Sequence, residues 1–159
     1  MKGHLIAAGV WLGLVAAGYA AFQAMDRRSE AIAGCDGSAA PSEVVVPAAR
    51  DGHFYVDGTV GGRPVRFLVD TGATYVSIDS GTAQSASLGE GARALFDTAA
   101  GRVEGRIVRG VTVGAACLAV PDLSVAVNPG LGPVGLLGQN FLRRFEVVQT
   151  DRELRLRAR

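Results

Sequence analysis

The feature that most constrains this chain is a carboxylate residue that directly follows an apolar strand in the sequence. Residues 67–69 read Phe-Leu-Val, and Asp70, Thr71 and Gly72 follow them at once. The carboxylate therefore emerges from a buried strand into a turn. Thr71 can hydrogen-bond the neighbouring backbone, and Gly72 admits close approach of another segment or a bound water. This pattern predicts a rigid turn that holds Asp70 in a partly dry place.

Short strands separated by glycine-rich turns predict the fold around Asp70. Residues 53–60 alternate apolar and polar side chains, Gly61 and Gly62 suit a two-residue turn, and residues 63–69 return as a second strand. Further short strands are predicted along the rest of the chain, including a hairpin that turns at Gly114. Many short strands with few helices predict an all-β barrel or sandwich that is mostly antiparallel.

Two short helices are predicted among these strands. The first covers about residues 79–88, with Ser80 as its N-cap and Gly89 at its end, because these residue types favour those positions. The second covers about residues 139–145, near the C-terminus, with apolar side chains on one side. The chain from residue 44 to residue 159 is long enough for one compact domain and too short for two.

An apolar run at the N-terminus predicts a membrane-spanning helix. Residues 5–22 contain no charged side chain, and a helix of that length can cross a hydrocarbon core of ~30 Å. We favour an uncleaved anchor over residues 1–24, although a signal peptide with a small-x-small site ending at Ala20 is the alternative. A soluble buried helix would carry a polar face, which this run lacks. Residues 25–43, rich in Ser, Ala, Gly and Pro, predict a flexible linker.

Composition excludes several other classes of function. The net charge of +1 gives no electrostatic basis for binding nucleic acid. Cys35 falls in the predicted linker and Cys117 in a predicted strand, a geometry that does not favour a disulfide, although the two could pair in an oxidising compartment. His4 and His53 do not neighbour a cysteine, so no metal site has a recognisable spacing and no cofactor is predicted.

Several motifs together resemble one protein family. The run Asp-Thr-Gly-Ala at residues 70–73 resembles the active-site loop of aspartic proteases. Leu-Leu-Gly at residues 136–138 resembles the element that crosses behind that loop in retropepsins. The whole pattern is similar to bacterial membrane-anchored retropepsin-like aspartic proteases, which have a Thr-Ala-x-Gly hairpin and Leu-Leu-Gly-x-x-Phe-Leu followed by Arg-Phe-Glu. Residues 98–101, 136–142 and 144–146 match these elements.

The resemblance implies a fold and a site. The fold is a retropepsin-like closed β-barrel, a single acid-protease lobe with one short C-terminal helix, after the N-terminal transmembrane helix. Asp70 is then the catalytic carboxylate. The loop that supports it consists of Thr71, Gly72 and Ala73, and the flap tip that binds substrate consists of Ala99, Ala100 and Gly101. The chain departs from the family at Asn140, where Ser is common, and at Ala100, where Asn is common.

Counting carboxylates predicts the assembly. This chemistry uses two carboxylates around one water, and two carboxylates ~3 Å apart share one proton because both cannot ionise. The domain carries one such aspartate and has no room for a second lobe. An isologous two-fold dimer supplies the second Asp70, and anchoring in a membrane raises the effective concentration of the two copies.

The expected function is therefore an aspartic endopeptidase that hydrolyses a protein or peptide substrate as a homodimer. The alternative is a peptide-binding or scaffold module that keeps the fold without turnover. The few Lys and Arg residues that flank the apolar run balance one another, so they do not set its orientation. The resemblance implies a single-pass protein of the bacterial inner membrane with a periplasmic catalytic domain.

Overall fold

A computed structural model of the chain describes residues 43–98 and 101–159. The predicted anchor, all but the last residue of the predicted linker, and the flap residues Ala99 and Ala100 lie outside the described residues. Within the two described ranges, no helix is long and apolar enough to cross a membrane.

Strands dominate this part of the chain. The elements, in chain order, are β1 (Glu43–Pro47), β2 (Tyr55–Val60), β3 (Arg63–Val69), β4 (Val76–Ile78), α1 (Ser80–Ser85), β5 (Ala92–Thr98), β6 (Gly101–Ala115), β7 (Leu118–Val127), β8 (Gly135–Leu137), α2 (Gln139–Leu142), β9 (Phe145–Gln149) and β10 (Glu153–Ala158).

Seven of these strands form a sheet that closes on itself. Its order is β2-β3-β8-β4-β7-β6-β5, and the sheet closes where the end strand β2 also pairs with β6, the strand next to the other end. The β3–β8 and β4–β7 pairs are parallel, whereas the other pairs are antiparallel. A second, antiparallel sheet has the order β1-β10-β9. The predicted all-β closed barrel with a short helix near the C-terminus is confirmed.

Alternating side chains fill the interior of the barrel. Val60, Phe67, Val76 and Ile78 are fully buried, and each alternates with more exposed neighbours along its strand. Burial of a side chain of this size stabilises a fold by roughly 1.5–3 kcal/mol. In the small sheet, Val44 and Val46 of β1 face Leu156 and Leu154 of β10, and all four are fully buried.

The β2–β3 hairpin leads the chain into the site. Gly61 and Gly62 connect the two strands with φ angles of +55° and +80°, which is the backbone that a tight hairpin turn requires. The predicted hairpin over residues 53–69 is therefore confirmed, with Tyr55 opposite Leu68 near its open end.

The predicted turn at Gly114 is wrong. Gly114 lies inside β6, opposite Ala119 of β7 and Thr59 of β2, and the turn falls at Ala116 and Cys117. The reason is tertiary packing, because a Cβ on Gly114 would lie 2.7 Å from the Thr59 hydroxyl oxygen of β2, and a Cβ on Gly58 would in turn overlap the carbonyl oxygen of Gly114. A glycine here serves the contact that closes the barrel and not a change of chain direction.

Both helices are shorter than predicted, and the first begins with a different cap. Asp79, not Ser80, is the N-cap of α1, and its carboxylate accepts hydrogen bonds from the backbone N–H groups of Gly81 (3.1 Å) and Thr82 (2.9 Å). A carboxylate in this position satisfies N–H groups that have no partner within the helix.

Cys117 lies in the β6–β7 turn and packs, half-buried, against the core. It is disulfide-bonded, so the expectation that geometry disfavours a disulfide is wrong for this residue.

Replacement of Gly58 by alanine tests the barrel closure. We expect Gly58→Ala to lower the free energy of unfolding by about 1–3 kcal/mol, because the added methyl group meets the Gly114 backbone and the two strands must separate. Gly89→Ala is the matched control, since a Cβ at Gly89 meets no atom within 4 Å. Urea denaturation of the two variants measures the difference, and equal stability would contradict the close contact.

Acid tests the cap of α1. The Thr82 side chain, together with the backbone N–H groups of Thr82 and Gly81, holds the pKa of Asp79 below its usual value and outweighs desolvation. A lowered folded-state pKa stabilises the fold above the unfolded-state pKa, and this contribution disappears as pH falls through the folded-state value. We expect Asp79→Ala to cost ~1 kcal/mol at neutral pH and progressively less below the ordinary value of 3.8.

The exposed Asp57, whose carboxylate makes no hydrogen bond with the described residues, provides the control for this experiment. Urea denaturation of Asp57→Ala should show little change at either pH. A cost at Asp79 that is the same in acid and at neutral pH would contradict the role of its carboxylate.

Candidate active site

The parallel pairing of β3 with β8 positions Asp70. Leu68 lies opposite Leu136, and Val69 lies opposite Leu137. The pairing extends one residue beyond β3, because the Asp70 N–H donates to the carbonyl of Leu137 at 3.2 Å. The buried Leu137 thus connects the interior of the barrel to the first residue of the loop.

The carboxylate of Asp70 is held on one side. The Gly72 N–H donates to Oδ1 of Asp70 at 2.8 Å, and the Ala73 N–H donates to the Asp70 carbonyl at 3.3 Å. Oδ2 receives no hydrogen bond from any described residue. Asp70 is half-buried, so the loop presents one oxygen that is available for chemistry at the surface of the barrel.

The first residues of α2 donate hydrogen bonds to the C-terminal end of the loop. The Gln139 N–H donates to the carbonyl of Ala73 at 2.8 Å, and the Asn140 N–H donates to the carbonyl of Thr74 at 3.1 Å. This approach requires Gly138, because a Cβ there would lie 2.8 Å from the Ala73 oxygen and would also overlap the backbone of Tyr75. The predicted Leu-Leu-Gly element therefore stands against the loop, as expected.

Two side chains from α2 add contacts that the sequence did not predict. Nε2 of Gln139 donates to the carbonyl of Thr71 at 2.9 Å. Oδ1 of Asn140 accepts from the Val76 N–H at 2.8 Å, and its Nδ2 donates to the carbonyl of Ser124 at 2.7 Å. The available signal was two polar residues directly after Gly138, the N-cap of α2. Asn140 was identified only as a departure from the family, and no role was predicted for Gln139.

A cleft of about 660 Å³ lies between the loop and the β5–β6 hairpin. The loop contributes Asp70, Gly72 and Ala73, whereas Thr71 is not among the lining residues. The remaining wall is largely apolar or weakly polar, and it consists of Thr74, Tyr75, Ser77, Ala94, Leu95, Phe96, Asp97, Thr98, Ile107, Ala126 and Leu136. Leu95 is 66% exposed, so an apolar side chain is open to solvent at the edge of the cleft.

The β5–β6 hairpin at the cleft contains Gly101, one of the three residues predicted as the flap tip, and the other two, Ala99 and Ala100, lie outside the described residues. Thr98 pairs with Gly101, and the Thr98 hydroxyl donates to the Gly101 carbonyl at 2.7 Å. Gly101 has a φ angle of +112°, a region that side chains disfavour. Gly101 therefore lies at the tip of the hairpin, but it does not line the cleft.

One further carboxylate borders the cleft. Asp97 lies on the hairpin, where its Oδ1 is 3.0 Å from Nε of Arg102 and both side chains are mostly exposed. Asp97 is thus engaged in an ion pair on the β5–β6 hairpin. Among residues 43–98 and 101–159, no group of three or more His, Cys, Asp and Glu side chains lies close enough together to hold a metal ion.

Alanine at position 138 tests how the loop is held. We expect Gly138→Ala to cost about 1–3 kcal/mol or more of unfolding free energy, because the methyl group meets rigid backbone on two sides. Gly132→Ala is the control, since a Cβ at Gly132 meets nothing within 4 Å. Thermal denaturation of both variants compares them, and equal melting temperatures would show that α2 does not pack on the loop as described.

Comparison with known proteins agrees with this architecture. Residues 56–144, more than half of the chain, match the family model described as "gag-polyprotein putative aspartyl protease". An uncharacterized protein of Rickettsia prowazekii (strain Madrid E) is 29% identical over 121 residues, which are 70% of this chain and 49% of that protein. The chain thus spans about half the length of this curated relative.

A solved structure shares the fold. The crystal structure of a retropepsin-like aspartic protease from Rickettsia conorii superimposes with a TM-score of 0.61 at 23% sequence identity, and the match covers 73% of this chain and 91% of that one. The family match, the barrel and the loop that carries Asp-Thr-Gly lead to one assignment. The chain belongs to the retropepsin-like aspartic protease family.

Proposed function

We propose that this protein is an aspartic endopeptidase that cleaves peptide bonds as a homodimer, with Asp70 of each copy forming the catalytic pair. The observation that carries the proposal is the half-satisfied carboxylate of Asp70. One oxygen is bound by the Gly72 N–H, and the other is free of the described residues beside a cleft large enough for a peptide segment.

The second carboxylate must come from outside this lobe. Asp97, the other acid at the cleft, is paired with Arg102 on the flap. A two-fold axis near the Asp70 loop would bring the same loop from a second copy to the same place, because an isologous contact repeats each surface on both subunits. The site is incomplete without that copy, so catalysis and dimerisation are one proposal.

The reaction then follows from one proton shared by two carboxylates. The ionised carboxylate takes a proton from a water held between the pair, and the water oxygen forms a bond to the carbonyl carbon of the peptide. The protonated carboxylate donates a hydrogen bond to the carbonyl oxygen. When the C–N bond breaks, the leaving nitrogen receives a proton from the pair, and the carboxyl and amine products separate.

The cellular setting belongs to the same proposal. The apolar run at residues 5–22 would anchor the protein in the bacterial inner membrane, with the catalytic domain in the periplasm. An anchor confines both copies to one surface, which raises their effective concentration and favours the dimer. The substrate is an extended segment of protein that can enter the cleft.

Replacement of Asp70 by asparagine tests the activity. We expect the full-length chain to cut an unstructured protein such as reduced, alkylated casein, and Asp70→Asn to lose that cleavage, because the amide cannot take a proton from water. Mass spectrometry of the fragments identifies the cut bonds. Equal cleavage by both proteins would reject the proposal, and peptide binding without cleavage by either would favour the scaffold alternative.

A mixing experiment tests the shared site separately. When equal amounts of wild type and Asp70→Asn are unfolded, mixed and refolded together, random pairing leaves about one quarter of the dimers with two intact copies. We expect the specific activity to fall to about that fraction of the value for wild type refolded alone. A residual activity of about one half would instead indicate that each copy acts independently.

A further inference from the structure

One peptide unit in the loop carries hydrogen bonds at both of its ends. The carbonyl of Thr71 accepts from Nε2 of Gln139 at 2.9 Å. The N–H of Gly72, which belongs to the same planar peptide, donates to Oδ1 of Asp70 at 2.8 Å. Because a peptide unit is planar and its C=O and N–H point in opposite directions, fixing the oxygen also fixes the direction of the N–H.

Gln139 is itself held firmly where it begins α2. Its N–H donates to the carbonyl of Ala73 at 2.8 Å, and its carbonyl accepts from the backbone N–H of Arg143 at 3.0 Å and from Nε of Arg143 at 3.2 Å. These contacts place the Gln139 backbone relative to the loop. The Gln139 side chain extends back to Thr71 at the beginning of the loop, whereas the Gln139 N–H bonds Ala73 at the other end.

On this basis we infer that Gln139 is a positioning residue for Asp70, acting through the Thr71–Gly72 peptide. This inference rests on the proposed function, since it assigns a role within that site. The Gln139 amide fixes the tilt of the peptide plane, and the Gly72 N–H in turn fixes the rotation of the Asp70 carboxylate. Oδ2 is thereby aimed at the place where the second copy and the water must meet.

Two physical effects support this chain of contacts. A hydrogen bond to a peptide oxygen polarises the peptide and strengthens the bond that its N–H donates. The contact also restrains the angle of a carboxylate whose free oxygen must be placed within a fraction of an ångström, and misplacement of about 1 Å at a reacting group can lower a rate on the order of a hundredfold. The role of Gln139 is therefore in orientation and not in contact with the substrate.

The neighbouring Asn140 has a different structural role. Its amide joins the Val76 N–H at the start of β4 to the carbonyl of Ser124 in β7, so it connects two strands and does not reach the peptide that holds Asp70. Loss of Asn140 should weaken the fold as a whole. Loss of Gln139 should release one peptide unit and leave the fold intact.

The test replaces Gln139 with methionine, which has a similar length and no N–H donor. In the full-length protein we expect Gln139→Met to lower kcat by about ten- to a hundredfold and to leave KM within about twofold, with little change in melting temperature. The substrate is an internally quenched peptide built on a bond that wild type cuts in casein. Gln139→Lys restores a donor and should recover most of kcat.

Gln84→Met is the matched control, because it makes the same chemical change on the exposed surface of α1, where the Gln84 side chain makes no hydrogen bond with the described residues. It should leave kcat unchanged. If Gln139→Met also leaves kcat unchanged while Asp70→Asn is inactive, the inference is wrong and the proposed function stands. A loss of kcat that Gln139→Lys does not recover, accompanied by a lower melting temperature, would reduce Gln139 to a structural role and likewise overturn the inference.

A second measurement does not depend on activity. Amide hydrogen exchange followed by NMR reports on the Gly72 N–H directly, and we expect Gln139→Met to speed its exchange by at least about tenfold while buried amides of β3 keep their rates. An unchanged exchange rate at Gly72 would overturn the inference whether or not the protein cleaves casein. If neither wild type nor Asp70→Asn cleaves casein, the proposed function is rejected, and the exchange experiment still tests the role of Gln139.

Discussion

The close packing of Gly138 against the Asp70 loop is the contact on which the rest of the site depends. The parallel β3–β8 pair brings Leu137 beside Val69, and Gly138 then lets α2 begin within hydrogen-bond distance of Ala73 and Thr74. A larger residue would push α2 away from the loop. The backbone at the end of β3 and the start of α2 therefore fixes the position of the Asp70 carboxylate, to which the described residues supply no ion pair.

This arrangement explains how the Asp70 loop can be rigid even if, as we propose, it forms only half of a catalytic site. An isolated carboxylate at the surface would gain rotational freedom, and the Gly72 N–H removes most of it by binding Oδ1. The same bond leaves Oδ2 without a partner among the described residues, which is a loss of potential hydrogen bonding that a purely structural turn would not need. A fold that keeps one oxygen fixed and the other open suits a role in which a second copy supplies what is missing.

Local chemistry explains which parts of this molecule could be predicted from its sequence. The β2–β3 hairpin has a two-glycine turn and alternating side chains, and both depend on neighbours in the chain. The turn predicted at Gly114 was wrong because this glycine accommodates Thr59 of β2, a residue far away in sequence that meets it only when the barrel closes. Ser80 was predicted as the cap and Asp79 is the actual one, because both residue types suit that position and only the actual start of α1 distinguishes them.

The contact of Gln139 could not be predicted for a related reason. Its partner is the backbone carbonyl of Thr71, 68 residues earlier, and every residue has a carbonyl, so no sequence pattern marks the acceptor. Motifs reveal residues whose own chemistry is unusual, such as Asp70. They do not reveal residues that act by holding an ordinary peptide unit, and in this site the direction of the carboxylate depends on one such unit. An active-site motif thus locates the reacting group, whereas the geometry of that group is set by side chains that the motif does not contain.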